Sequence, residues 1–326
     1  MEGMMEFFGI DIAKHKFDLA WLSGEKIKKS KKFDNTQSGH KDLLQWLKDQ
    51  RLTVENCHFA MEATSQYYEA LATILADAGC TVSVVNPAQI KAFGQATMSR
   101  QKTDRADAVL IARFCKVMAP QPWEPPPREV RELQRLLARL EALQSMHVQE
   151  QNRRYEAQGI ALDSVERVIE TLAEEIKRLQ KKIRDHIDGH PGLREQDELL
   201  QSIPGVGSGA SSYAIAWLRG ERFKDARQAA AFVGLSPRHH ESGDSVLAKS
   251  RLCKQGHGRL RKILYWPAMA AIRYNAAAAE LSGRMVAAGK NKKVAIIAVM
   301  RKLVHWMIGV LKSGKAFDVN LALAKS

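Results

Sequence analysis

Apolar residues come in short runs of strand length over the first hundred positions and at helical spacing over most of the rest. Residues 5–13, 17–22 and 26–33 predict three successive strands joined by tight turns, with Ser23-Gly24 as turn chemistry. A helix opening at Ser38 or Gly39 and running through Lys48 shows an apolar face of Leu43, Leu44, Trp46 and Leu47. A strand ending at Glu62 follows, then a helix from about Gln66 to Ala78 that stops at Gly79. The β-branched run 81–85 predicts another strand, ended by Asn86-Pro87, and residues 103–113 read as a helix.

The order βββαβαβα is that of an RNase H-like α/β domain, the fold type of retroviral integrases and Holliday-junction resolvases. Its first and fourth strands are neighbours, so Asp11 is expected beside Glu62. Asp104 and Asp107, three apart on one helix face, are expected within reach of both strand ends.

Five prolines in the eight residues 120–127 cannot continue a helix and predict a stiff extended linker. Beyond it Leu133, Leu136, Leu137, Leu140 and Leu143 recur at helical spacing. Val165, Ile169, Leu172, Ile176, Leu179 and Ile183 then follow a 4-3-4-3-4 heptad rhythm with charged outer positions. Gly159 marks the break between the two helices and Gly189-His190-Pro191-Gly192 the end. An antiparallel helical hairpin or an intermolecular coiled coil would both satisfy this pattern. The rest is mostly helical. The expected fold is thus α/β plus α, in three regions: residues 1–120 (the α/β domain), 121–192 (proline-rich linker and coiled-coil helices) and 193–326 (a mostly helical domain).

Charge sharpens the picture. The chain has 326 residues, 45% of them hydrophobic, and a formal net charge of +14 with pI near 9.6. Ordered cores are expected, and a polyanionic partner. Residues 195–326 carry 21 Lys and Arg against 9 Asp and Glu, so +12 of the +14 lies there. Cys57, Cys80, Cys115 and Cys253 are scattered and form no C-x-x-C pair, which argues against a disulfide framework or structural zinc. The N-terminus has no signal-peptide pattern, and the apolar stretch 294–311 is broken by Arg301, Lys302 and His305. A cytoplasmic protein without a membrane partner is expected.

Each candidate has a bland reading. Asp11 alone could end a strand, and Glu62 alone could cap a helix. Clustered acids in a basic protein repel unless a cation offsets them, and oxygen-only ligands suit Mg²⁺ or Mn²⁺. Such ions assist phosphoryl transfer. Ile203-Pro204-Gly205-Val206-Gly207 between helical stretches resembles the turn of helix–hairpin–helix DNA binders, with Gly205 and Gly207 freeing backbone N–H groups for a phosphate. The acid-free tract 249–262 offers Lys249, Arg251, Lys254, His257, Arg259, Arg261 and Lys262, with Arg238 upstream, as phosphate contacts. Ser242, before a glycine in a polar stretch, is by composition only a turn residue.

Together, Gly9-Ile10-Asp11, Met61-Glu62-Ala63-Thr64, Lys102-Thr103-Asp104-Arg105-Ala106-Asp107-Ala108, Ile203-Pro204-Gly205-Val206-Gly207 and Glu241-Ser242-Gly243 resemble the DEDD insertion-sequence transposases of the insertion-sequence one-ten family. These are bridge-RNA-guided recombinases, and the resemblance spans nearly the whole chain. It implies a RuvC-like first domain, and Asp11, Glu62, Asp104 and Asp107 as Mg²⁺ ligands. It implies Ser242 as the nucleophile that forms a covalent phosphoserine with one DNA strand end. It further implies a noncoding bridge RNA pairing with donor and target double-stranded DNA, and a tetrameric dimer of dimers with acids and serine meeting across protomers. Two other readings remain at this stage: a Mg²⁺-dependent RuvC-like nuclease or Holliday-junction resolvase that uses water, and a nucleic-acid-binding scaffold without chemistry.

Overall fold

The computed structural model describes residues 5–63, 67–97, 103–242, 246–252 and 256–324, apart from the side chains of residues 221, 238–242 and 246–251. The chain forms two compact units, Met1–Pro126 and Pro127–Ser326.

The first unit is built on strands β1 (Glu6–Ile12), β2 (Lys16–Ser23), β3 (Lys26–Asp34), β4 (Cys57–Glu62) and β5 (Thr81–Val85). Helices α1 (Gln37–Asp49), α2 (Glu69–Asp77), α3 (Pro87–Ala96) and α4 (Asp104–Met118) complete it. The sheet order is β3-β2-β1-β4-β5. The first three strands are antiparallel, and β1, β4 and β5 run parallel. This mixed sheet is compatible with an RNase H-like domain, and β1 does lie beside β4.

Alternation along the strands assigns the two faces. Phe8, Ile10, Phe17, Leu19, Trp21, Phe59 and Met61 form one core with Leu43 and Leu47 of α1 and Leu71 and Leu75 of α2. Phe8 stacks on Phe59 at 4.5 Å between ring centroids. The opposite face, with Gly9, Ala20, Leu22 and Ala60, receives α4 through Ala108, Ile111 and Ala112. All the acids of interest lie on this second face.

Helix α3 is a departure from the sequence reading, which took Asn86-Pro87 only as the end of β5. The Asn86 side chain accepts a hydrogen bond from the Ala88 N–H at 2.9 Å, and Pro87 occupies the first helical turn, where its missing N–H costs nothing. The expected start of α2 at Gln66 lies outside the described residues; the helix itself begins at Glu69. The proline stretch has no regular structure but is tied to the sheet. The Trp123 N–H donates to the Val82 carbonyl at 2.6 Å, and the Ser83 hydroxyl lies 3.0 and 2.9 Å from the Pro120 and Gln121 carbonyl oxygens.

The second unit opens with α5 (Arg128–Arg154) and α6 (Ile160–Asp188). His186 bonds the Glu129 carbonyl near the start of α5, and Arg154 at its end pairs with Glu166 near the start of α6. The two helices are therefore an antiparallel hairpin within one chain, the first of the two arrangements the heptads allowed. Next come α7 (Pro191–Gln201), α8 (Ser208–Trp217), α9 (Ala226–Val233) and a ribbon of β6 (Pro237–Ser242) and β7 (Val246–Leu252). Helices α10 (Gly258–Ile263), α11 (Tyr265–Tyr274), α12 (Ala276–Ala287), α13 (Lys292–Ser313) and α14 (Val319–Ala324) follow. One core runs from Leu133 and Leu137 through Ile187, Leu200 and Ile215 to Leu303 and Met307. By length and composition α13 could cross a membrane. Its Val299, Met300, Leu303, Val304, Met307 and Ile308 are instead buried in this core, as the interrupted apolar stretch 294–311 suggested.

Candidate metal and nucleic-acid site

Four elements bring the acids of the first unit together. Asp11 is near the end of β1, on the face that carries Gly9, and pairs in register with Asp18 of β2. Directly opposed residues of an antiparallel pair share a face, so Asp18 belongs to the same group. Glu62 ends β4 on the face of Ala60, which pairs with Gly9. Asp104 and Asp107 occupy the first turn of α4, whose N-cap Thr103 accepts a hydrogen bond from the Ala106 N–H at 3.2 Å. The helix dipole favours carboxylates at that end.

The helix comes this close because Gly9 has no side chain. A Cβ there would stand 2.1 Å from the Ala108 carbonyl oxygen and 2.2 Å from the Ala112 nitrogen. Ala108 and Ala112 are buried small residues, so the backbones of α4 and β1 are in direct contact.

The electrostatics register the crowding. Burial, then the charges of Asp107, Asp104 and Asp18, push the Asp11 carboxyl up to about 6. Burial, followed by Asp11 and Asp107, raises Glu62. Asp104 goes the other way: Lys16 Nζ lies 3.0 Å from its Oδ2 and lowers its pKa. Lys32 pairs with Asp18 at 3.6 Å. Asp18 was missed by the sequence reading because only strand register identifies it as the neighbour of Asp11.

Among the described residues no three His, Cys, Asp or Glu side chains already stand in ligating geometry. The carboxylates are within reach of one another's charge, and burial with that repulsion raises two of them, Asp11 and Glu62. A hard divalent cation fits this oxygen-only donor set, because it would offset the repulsion that raises Asp11 and Glu62. Among the described residues the cysteines offer no competing soft site: Cys57, Cys80 and Cys115 are buried, with thiols pushed up to about 12, 11 and 12 by burial.

In the second unit the expected phosphate contacts separate into distinct environments. Gly205 (φ +101°) packs its Cα against α11: a Cβ would lie 2.5 Å from the Ala271 nitrogen, so both the backbone conformation and the close approach require glycine here. Gly207, the N-cap of α8, faces open space, and no side chain caps this helix. His257, expected as a phosphate contact, has partners within its own fold. Its Nδ1 accepts from the Leu260 N–H at 3.2 Å and its ring rests between Trp217 and Phe232. Burial, then Arg259 and Arg222, lowers its pKa to about 4, so it is a neutral helix cap.

Arg259 is paired with Glu141, and Arg261 donates to the Val233 carbonyl at 3.0 Å, capping α9. Both arginines thus hold their own fold together. Lys262 is exposed. Arg238, Lys249 and Arg251 lie on the ribbon, Arg238 opposite Arg251 in register. Lys254 lies outside the described residues. Ser242 ends β6 and pairs with Val246 at the start of β7.

Comparison with known proteins bears on both units. A family model described as "Transposase", of the DEDD insertion-sequence type, matches residues 8–158. A second, "Transposase IS116/IS110/IS902 family", matches residues 197–282. The chain is 33% identical over 319 residues to the pilin gene-inverting protein of Moraxella bovis, covering 97% of this chain and 98% of that protein. The same protein of Moraxella lacunata matches at the same identity and coverage. A probable family 20 transposase of Pseudomonas aeruginosa is 31% identical over 117 residues, covering 35% of this chain and 33% of its own.

Proposed function

Because the chain belongs to the IS110 family of transposases, enzymes that cut and recombine DNA, we propose that it is an RNA-guided recombinase working through a covalent phosphoserine. The observation that carries the metal half of this reading is that burial and neighbouring carboxylates raise Asp11 and Glu62, with Asp107 and Asp104 among the charges acting on Asp11 and Asp107 among those acting on Glu62. These four would hold Mg²⁺ or Mn²⁺, which when bound polarises a DNA phosphate and favours the serine alkoxide.

Ser242 supplies the nucleophile. Its Oγ forms a bond to phosphorus as the bond from phosphorus to one deoxyribose oxygen breaks, and the serine proton passes through solvent to that leaving oxygen, which departs as a strand hydroxyl. A strand hydroxyl from the partner duplex then attacks the phosphoserine, restores a phosphodiester and frees Ser242. No ATP is consumed, because each broken ester is replaced by another. Two full-length relatives are named for inverting a pilin gene. Inversion requires every cut end to be rejoined, which favours an ester-conserving route over attack by water. The strongly cationic stretch 195–326 suits binding of DNA and of a bridge RNA, which would delegate sequence choice to base pairing. Assembly as a tetramer would let acids and serine meet across protomers.

The test incubates the protein with Mg²⁺ and a labelled DNA carrying its recombination site. A protease-sensitive adduct is expected, lost in Ser242→Ala and in Asp11→Asn. Cleavage with no adduct in the wild type would return the reading to a water-using nuclease. Sequencing of copurified RNA tests the guide: a discrete species encoded beside the gene is expected, and a random sample of cellular RNA counts against it.

A further inference from the structure

The second unit holds a cleft of about 640 Å³ that the recombination chemistry above does not use. Leu140, Ile183 and Tyr213 contribute to its apolar and aromatic lining. One wall is a single helical face. Arg259, Lys262, Ile263 and Trp266 follow at i, i+3, i+4 and i+7, and α10 runs into α11 through Leu264 with helical backbone (φ −70°, ψ −10°). The first turn of α8, at Ser208 and Gly209, also borders the cleft.

The charges there are of two kinds. Arg259 is committed to Glu141, and Arg184 to Asp197 at 2.7 Å. Lys262 has no ion-pair partner among the described residues. The α8 amides add a second positive element, since Gly207 offers no capping side chain and both Gly207 and Gly209 face open space.

Trp266 decides what kind of ligand this suits. It is 74% exposed although it lines the cleft, and Tyr265 meets it edge-on at 5.6 Å. Leaving so large an apolar ring in water is unfavourable unless a partner covers it. A flat aromatic surface beside an unpaired ammonium and an uncapped helix start matches a planar base carrying a phosphate.

We propose that this cleft captures an unpaired nucleotide of single-stranded nucleic acid, its base stacked on Trp266 and its phosphate held by Lys262 and the start of α8. A paired base, stacked on both sides within a duplex, has no free face to offer the ring. The proposal rests on the reading of the chain as a nucleic-acid recombinase and adds a site that recognises strand state.

The test measures binding of the full-length protein to labelled 12-nucleotide RNA, the same sequence as single-stranded DNA, and a blunt DNA duplex. Trp266→Ala is expected to weaken single-strand binding about tenfold or more, the range for loss of one base–aromatic stack, with duplex binding unchanged. Trp266→Phe should recover most of the loss. Lys262→Gln should reduce the slope of log K against log salt by about 0.7 for single strands. The RNA and DNA arms show which polymer supplies the nucleotide. Unchanged single-strand binding by Trp266→Ala overturns the proposal, as does an equal loss on duplex, or a loss that accompanies a change in oligomer mass. Failure of the wild type to bind any of the three would instead remove the nucleic-acid reading itself.

Discussion

A Cβ placed on Gly9 would stand 2.2 Å from the backbone nitrogen of Ala112, so the acid-bearing helix α4 rests on bare strand. Neither partner is a flexible side chain, and relief requires the helix to move. Gly9→Ala is therefore expected to cost at least about 1–3 kcal/mol, the range for overpacking a core. It should also move Asp107 away from Asp11 and weaken Mn²⁺ binding. Urea melts and Mn²⁺ titration by electron paramagnetic resonance check both effects. Wild-type values in both would show that the close approach is not needed.

The Asp11 carboxyl, raised to about 6, links folding to pH. A carboxyl raised in the folded state favours folding fully below its unfolded value near 3.8, and that contribution is lost as pH rises through about 6. Without divalent ions, stability should fall across this window. Mn²⁺ opposes the same repulsion, so the rise in Tm it causes should be small at pH 5 and larger at pH 7.5. Asp11→Asn should flatten both trends. A Mn²⁺ effect on Tm that does not vary with pH would separate Asp11 from the metal.

The acids of the first unit were legible because each ends an apolar run or opens a helix, and the element order alone makes β1 and β4 neighbours. Asp18 was not legible, since its membership depends on the pairing Asp11↔Asp18, and register is a property of two strands together. Helix α3 escaped because Asn86-Pro87 both ends a strand and caps a helix. In the second unit His257 reads as a phosphate contact because a histidine between basic residues has that look in one dimension. Only packing shows that two aromatic rings flank His257 and that α11 stands against the Cα of Gly205. Arg259 and Arg261 are likewise committed to Glu141 and to the end of α9, partners 118 and 28 residues away in sequence.

Lys16 holds Asp104 at 3.0 Å and so occupies one of the four carboxylates assigned to the metal. Both side chains are about half exposed, and the pair itself adds little stability. Its consequence is competitive: a cation that ligates Asp104 must displace the ammonium. Lys16→Met should therefore tighten Mn²⁺ binding several-fold while leaving Tm without metal within about a degree of wild type. Lys32→Met, which frees Asp18 instead, serves as the control for general loss of positive charge. Equal tightening by both variants would show that net charge, and not the Asp104 contact, sets the affinity.

Asp197 is the most deeply buried charge described in the second unit, with its side chain 6% exposed. It accepts hydrogen bonds from Arg184 at 2.7 Å, Gln201 at 2.6 Å and Ser211 at 2.5 Å, and so ties α6, α7 and α8 together. Breaking a buried pair from one side leaves the other charge desolvated and costs about 3–5 kcal/mol. Arg184 is about one-third exposed and can turn toward water, which places Asp197→Ala at the low end of that range. Arg184→Met should cost at least as much, because the carboxylate it strands is the more buried partner. The double variant should be less damaging than the sum of the two, since neither charge then remains unpaired. The same knot sets where the first turn of α8 stands, so Asp197→Ala should weaken single-strand binding at the Trp266 cleft even at temperatures where the protein stays folded. Additive costs in a double-mutant cycle would show that the two groups do not depend on each other. Unchanged single-strand binding would show that α8 keeps its place without them.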